Sequence, residues 1–410
     1  MGIFQWFRAT SPRTEERAVH IRPSQFIEAP PFSGEYVTPN NADSNTAVNR
    51  AVQLISNDLA KVPMRVMRRT AEGREEDTSS ALWRLFDTTP NVEQSGYEWR
   101  RYNASIYLRY GNALNLIQRN ARGDVLQLLP MDPDSISIQM NHNDGTYWYE
   151  HATIGKLEPE EVLHFRSPTT NMDETGVWAE SPIRRARETL GLSKAQLKAG
   201  ASTYRNSAQP RMSIQHPGNL SDKAAARLAE QFTRAHSGPE SAGKAILLEE
   251  GMTASVLSPL SLESTQWLQA RDHQIQEVSR IFGVPSHMLS DLSGGQYSNI
   301  QSLMRTYVDG CLSHHAAMWA AEIQFKMLSP DQFVDFDLSL VQRGSFQDEI
   351  ASLNTAVTSG IMTPNECRVR LGLNPMPGLD QPRLRKDTGV VTDQEEDPDE
   401  RNPFSDDFES

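Results

Sequence analysis

The stretch Phe282-Gly283-Val284-Pro285-Ser286-His287-Met288-Leu289-Ser290-Asp291, continued by Leu292-Ser293-Gly294-Gly295-Gln296-Tyr297-Ser298-Asn299, decides how this chain is read. It is a glycine-bearing loop between two long helical patterns. Upstream, Leu262 to Phe282 reads as a helix. Downstream, Ile300, Leu303, Met304, Tyr307, Val308, Cys311, Leu312, Trp319, Ile323 and Met327 trace one face of a second helix. That helix should run for about 30 residues, or ~45 Å at a rise of ~1.5 Å per residue. Gly294 and Gly295 free the loop backbone. Asp291 is its one acid, and Gln296, Tyr297 and Ser298 are polar tips flanked by Ser293.

Working outward, residues 8–43 are polar and scattered with Pro12, Pro23, Pro30, Pro31 and Pro39, which predicts an extended or disordered lead. Ala47, Val48, Ala51, Val52, Ile55, Leu59 and Val62 then repeat at helical spacing until Pro63 stops them. Met64 to Arg69 reads as a strand and Ala71-Glu72-Gly73 as a turn. A short helix around Leu82 to Phe86 is followed by a longer one from Tyr97 to Tyr110, closed by Gly111. Asn112 to Arg119 and Val125 to Leu129 make a hairpin around Asn120-Ala121-Arg122-Gly123, which Pro130-Met131-Asp132-Pro133-Asp134 breaks. Strands follow at Ile136 to Met140, Tyr147 to Tyr149 and Val162 to Phe165. The first ~180 residues are thus an α+β domain.

The middle differs. Ser181-Pro182 opens a helix to about Asn206 with thin apolar content, interrupted by Gly191 and Gly200. Such a helix lacks a broad stripe to bury and should pack on a partner helix or on copies of itself. Met212 to Ile214 is a strand, Ser221 caps a short helix carrying Leu228 and Phe232, and Ala245 to Glu249 and Thr253 to Leu257 are strands. Near the end, Phe346 to Ser359 is helical. Thr363-Pro364-Asn365-Glu366 is a capping box with proline at the first helical position.

The net charge is −13, and the segment Asp393 to Ser410 holds nine carboxylates against Arg401. Subtracting that local −8 leaves about −5 for the rest, with no long Lys/Arg run to grip phosphates. Two cysteines, Cys311 and Cys367, make no disulfide framework, so a reducing compartment is expected. No apolar run approaches the ~18 residues of a membrane span. Met1 to Phe7 lacks the charged start of a signal peptide, and Trp6 stands where a myristoylation signal wants Ser or Thr.

Fragments of nucleotide-binding chemistry are present and fail on context. Leu292-Ser293-Gly294-Gly295-Gln296 spells the signature motif of ABC-type ATPases, and Gly238-Pro239-Glu240-Ser241-Ala242-Gly243-Lys244-Ala245 nearly matches a P-loop. A P-loop needs a strand before it and a helix after it, and here the order is reversed. Ala245 also replaces the hydroxyl that holds Mg²⁺. His287, His314, His315 and Cys311 lack matching third and fourth ligands for zinc. Asp132 and Asp134 are explained by turn chemistry around Pro133, and no Gly-x-Ser-x-Gly occurs. The reading is therefore non-enzymatic, with no cofactor or metal.

An ordered set of segments resembles the portal proteins of tailed bacteriophages. It comprises Ala47 to Met67, Pro90-Asn91 with Tyr97-Glu98-Trp99, Tyr110-Gly111-Asn112-Ala113, and Leu128-Leu129-Pro130-Met131-Asp132-Pro133. It continues with Ile246 to Gly251, Ile281 to Leu289, Ser298-Asn299 and Gly360 to Leu373. The resemblance spans roughly 40–380 and implies a portal fold: an α/β wing, a two-helix stem, a small α+β clip and a helical crown, closed into a ring of typically twelve subunits. The implied division is an arm at 1–43, partly disordered, wing 44–180, stem helices 181–207 and 261–283, and clip 208–260. A channel loop at 284–299 follows, then a long wing helix and strand at 300–339, crown 340–380 and an acidic disordered tail at 381–410. Implied roles are DNA contact for Asp291, Ser293, Gly294, Gly295, Gln296, Tyr297 and Ser298, and terminase or adaptor contact for Met212, Ile214, Arg227, Arg234 and Lys244. Implied partners are further copies of the chain, double-stranded DNA read without sequence preference, the terminase large subunit, the major capsid or scaffold protein and a head–tail adaptor, with no membrane. The expected place is the capsid vertex of a virion, assembled in the bacterial cytoplasm. A gene transfer agent or defective prophage ring is the alternative.

Overall fold

The computed structural model describes residues 18–21, 31–71, 73–141, 144–168, 173, 175–206, 212–215, 217–218, 221–223, 225–227, 229–230, 252–256, 264–289, 300–341 and 346–382. The chain divides into two units, Met1–Gln342 and Arg343–Ser410.

In the first unit, helix α1 (Thr46–Lys61) starts at Asn45, whose side chain accepts from Ala47 N and Val48 N. It packs on α3 (Gly96–Tyr110), and its Val48, Ala51, Ile55 and Leu59 are all buried. A short helix α2 (Ala81–Asp87) precedes α3. Gly111 ends α3 at φ +87°, and a Cβ there would lie 2.6 Å from Ala179 O, so both conformation and space demand glycine.

Three antiparallel sheets accompany these helices. Strand β2 (Met64–Thr70) is flanked by β3 (Gly73–Glu76) and β12 (Gln332–Phe336), pairing Val66 with Val334. Strand β4 (Asn112–Arg119) lies between β5 (Val125–Met131) and β9 (Val162–Arg166). The sequence reading ends the hairpin at Pro130. The strand instead continues through it, because β5 is an edge and the missing N–H costs the ladder little. The third sheet orders β1 (Ala18–Ile21), β6 (Ile136–Asn141), β7 (Tyr147–His151) and β8 (Gly155–Leu157).

Three helices follow: α4 (Pro182–Arg185), α5 (Arg187–Asn206) and α6 (Ser264–Phe282). The pair β10 (Met212–Gln215) and β11 (Thr253–Val256) lies between α5 and α6 in sequence. The single long helix expected after the loop is α7 (Ile300–Tyr307), a π-helical turn at Val308–Leu312, and α8 (Ser313–Met327). The wider turn keeps Tyr307, Val308, Cys311, Leu312 and His315 all inward. Trp319 on α8 meets Phe165 in a stack 4.2 Å between centroids and meets Trp99 edge-on at 6.0 Å.

The second unit is a helical hairpin, α9 (Phe346–Thr358) and α10 (Pro364–Arg370). The Thr363–Glu366 capping box forms as the sequence predicts. The Asn365 side chain donates to Met376 O at 2.9 Å and accepts from Met376 N at 2.8 Å, closing the following turn.

Candidate functional site

The loop that dominates the sequence reading is held at both ends. At the α6 end, Phe282 and Val284 are buried and Gly283 turns the chain at φ +66°. Ser279 Oγ donates to Val284 O at 2.6 Å, and Leu289 closes the following turn in the core. At the other end, Tyr307 OH donates to Asp58 Oδ2 of α1 at 3.2 Å. Asp291, Ser293, Gly294, Gly295, Gln296, Tyr297 and Ser298 lie outside the described residues.

Of the residues assigned to a clip, Met212 and Ile214 stand on β10 opposite Val256 and Ala254. Arg227 is exposed in a helical turn that begins after Ser221, whose carbonyl accepts from Ala225 N at 3.0 Å. Arg234, Lys244 and the whole near-P-loop lie outside the described residues, as do Leu228, Phe232 and the strand expected at 245–249.

Helices α5 and α6 meet through polar side chains. Ser193 Oγ on α5 donates to Gln274 Oε1 on α6 at 2.8 Å and accepts from Asn45 Nδ2 at 3.2 Å. Gln274 Nε2 in turn donates to Gln196 Oε1. Leu192 and Leu197 remain exposed on α5. The sequence reading missed what covers the rest of this helix. Residues 32–36 run along it: Phe32 N donates to Glu188 Oε2 at 3.0 Å, Lys198 pairs with Glu35 at 2.6 Å and Lys194 donates to Tyr36 O at 3.1 Å. Gly191 does not interrupt the helix; it admits the strap, since a Cβ there would lie 2.6 Å from Ser33 Oγ.

The chain just before α4 is fixed by a second unforeseen network. Asn112 Nδ2 donates to Ala179 O at 2.7 Å, and Asn112 Oδ1 accepts from Ala179 N at 2.9 Å. That amide orientation makes His164 Nε2 a donor to Asn112 Oδ1 at 3.0 Å and leaves Nδ1 to accept from Tyr149 OH at 3.0 Å. Burial holds His164 neutral, well below its usual range. Only the order Tyr110-Gly111-Asn112-Ala113 hinted at this clamp.

Cys311 donates weakly to Phe282 O, and burial pushes its thiol up to about 12. Burial, then the neighbouring His314, pulls His315 down to about 4. Among the described residues no group of three or more His, Cys, Asp or Glu is placed to hold a metal. Asp132 Oδ1 accepts from Asp134 N at 3.0 Å, as a turn requires. No described helix is long and apolar enough to cross a membrane.

The family model for the phage portal protein matches residues 46–372. The chain belongs to the phage portal protein family. Among portal relatives, a probable portal protein of Streptomyces phage phiC31 is 29% identical over 369 residues, covering 84% of this chain and 78% of that protein. The portal protein of Enterobacteria phage HK97 is 25% identical over 359 residues, covering 85% and 83%. The fold agrees with that of an HK97-family portal protein from Corynebacterium diphtheriae, with a TM-score of 0.57 at 16% identity over 75% of this chain and 97% of that one. It also agrees with a chain of a native gene transfer agent virion, with a TM-score of 0.57 at 20% identity over 82% and 93%. A chain from a gene transfer agent neck computed with C12 symmetry matches at a TM-score of 0.54, 20% identity, over 84% and 97%. The α+β portal fold expected from sequence is the fold found.

Proposed function

We propose that this portal-family chain closes into a ring at one capsid vertex, through which double-stranded DNA enters during packaging and leaves during ejection. The family match running from the first residue of α1 to just past α10 carries this reading. The neck solved with C12 symmetry supports a count of twelve. The exposed Leu192 and Leu197 on α5 support a neighbouring copy against the stem. In this reading α5 and α6 are the stem and β10–β11 belong to the clip, where the terminase large subunit and a head–tail adaptor dock. The segment 290–298 faces the DNA, and the capsid or scaffold protein surrounds the wing. An acidic body lets DNA slide, because a row of cations would bind phosphates at every step.

Mass photometry and electron-microscopy class averages test the ring. Twelve copies of 46.0 kDa should give a particle of about 0.55 MDa. A stable monomer across concentrations, with scaffold protein co-expressed, would sink the proposal. The ring should turn over no ATP, and Lys244→Ala should change neither assembly nor ATP binding. The gene transfer agent structures favour one second reading: the same ring in a gene transfer agent particle. Sequencing the encapsidated DNA separates the two.

A further inference from the structure

We propose that a cleft bounded by α4, the turn after α6 and the π-helical segment receives a carboxylate side chain from a second copy of this chain. The inference rests on the ring reading above. The cleft encloses about 530 Å³ and is lined by Arg185, Arg280, His314 and His315. Among the described residues no carboxylate lines it. Arg185, Arg280 and His314 are exposed at its rim, and Arg280 also pairs with Glu277 one turn back on α6. His315 sits below them, buried, with Nδ1 making no hydrogen bond. The mouth is kept open by two glycines. Nothing lies within 4 Å of a Cβ built at Gly310, and at Gly283 only Cys311 Sγ does, at 4.0 Å.

The shape favours a protein side chain over a DNA backbone. Leu108, Ile281 and Phe282 give the cleft apolar surface, which suits the methylene stem of an acidic residue. A duplex would need a row of cations along an open track, not a basic concavity. Charge complementarity names the donor. The chain holds 53 Asp and Glu against 40 Lys and Arg, so a second copy has an excess of carboxylates from which to present one to a basic hollow. A cyclic ring joins two different faces of each subunit, and a cationic cleft on an acidic chain is suited to be one of them.

The test uses the full chain. Ring formation is followed by mass photometry through a dilution series at low and high salt, for wild type and for Arg185→Glu with Arg280→Glu. The reversed variant should need about tenfold more protomer, or greater, to reach half assembly, with the salt dependence of wild type weakened. Should that variant fail to fold, Arg280→Lys keeps the charge and adds an amine that a carbodiimide joins to any touching carboxylate. In rings mixed from isotopically light and heavy chains, peptide mass spectrometry should find Lys at 280 linked to an Asp or Glu of another copy. Rings that form normally in the reversed variant, or links confined to Glu277 of the same chain, overturn the inference and leave the ring reading standing. Intact rings that lose duplex DNA retention would assign the cleft to phosphate and also overturn it. A wild-type chain that never forms rings removes both.

Discussion

Burial beside Tyr107 and Trp319 makes His315 a sensor of acid. Its ring lies 5.5 Å from that of Tyr107, and His315 Nδ1, Tyr107 OH and Trp319 Nε1 are all buried without hydrogen-bond partners. A base whose folded value drops from 6.5 to about 4 binds fewer protons folded than unfolded in that interval. Its contribution is therefore complete above pH 6.5 and drains as pH falls toward 4. At ~1.4 kcal/mol per unit, the loss across the window is roughly 3 kcal/mol. Urea titrations of wild type should show that decline. His315→Phe should flatten it while changing stability at pH 7 by about 1 kcal/mol or less, since it removes an unsatisfied polar atom and keeps an aromatic ring. An unchanged slope in the variant would mean other groups govern it. Arg100 sits in the opposite situation. It is buried and satisfied, donating from Nε and Nη2 to Ala60 O and from Nη1 to Phe86 O at 2.7 Å. One cation thus caps the C-terminal ends of α1 and α2, where helix dipoles favour positive charge. Arg100→Met should cost about 3 kcal/mol, because two buried carbonyls lose their donors, and the midpoint of chemical denaturation measures it.

Among the elements, α5 shows where sequence reasoning stops. Its thin apolar face was legible, and so was its need for a partner. The partner's identity was not: residues 32–36 bind it through backbone amides, carbonyls and Glu35, which leave no hydrophobic period to read. Gly191 should therefore be the most sensitive point of the strap. In Gly191→Ala the new methyl meets Ser33 Oγ, which can rotate, and Glu35 O at 2.9 Å, which cannot. The variant should lose roughly 1–3 kcal/mol, as overpacked contacts do. It should expose the amides of 33–36 to hydrogen exchange, and Ser33→Gly should rescue it only in part. Unaltered protection would show that the strap is not held there. Elements with local signals were legible in full: Asn45 and Pro63 bracket α1, Gly111 closes α3, and Thr363 to Glu366 start α10. Features set by distant partners were not. Strand β12 pairs with β2 across the whole unit, and short β3 and β8 are specified by their neighbours. The π-helical turn at Val308–Leu312 was not legible either, because Tyr307, Cys311 and His315 also share one face of a regular helix.

For the whole molecule, the ordered set of family segments carried the identification, while the site residues drew on order alone. The loop assignment can still be argued from its anchors. The core holds Phe282, Val284 and Leu289 on one side and Tyr307, Val308 and Leu312 on the other. Both anchors are therefore fixed points of the core. In a ring, every copy would present such a loop at the same height around the axis. Its single acid and polar tips would touch passing DNA without a phosphate-binding step to undo. Replacing Gly294 and Gly295 with proline removes backbone freedom at the two positions that have most of it. Because both lie beyond the anchors, Gly294→Pro with Gly295→Pro should leave the ring mass and the melting temperature unchanged. DNA packaged into proheads, or retained after packaging, should fall several-fold. Packaging at the wild-type rate by the stiffened loop would show that 290–298 does not handle DNA, even with the ring intact.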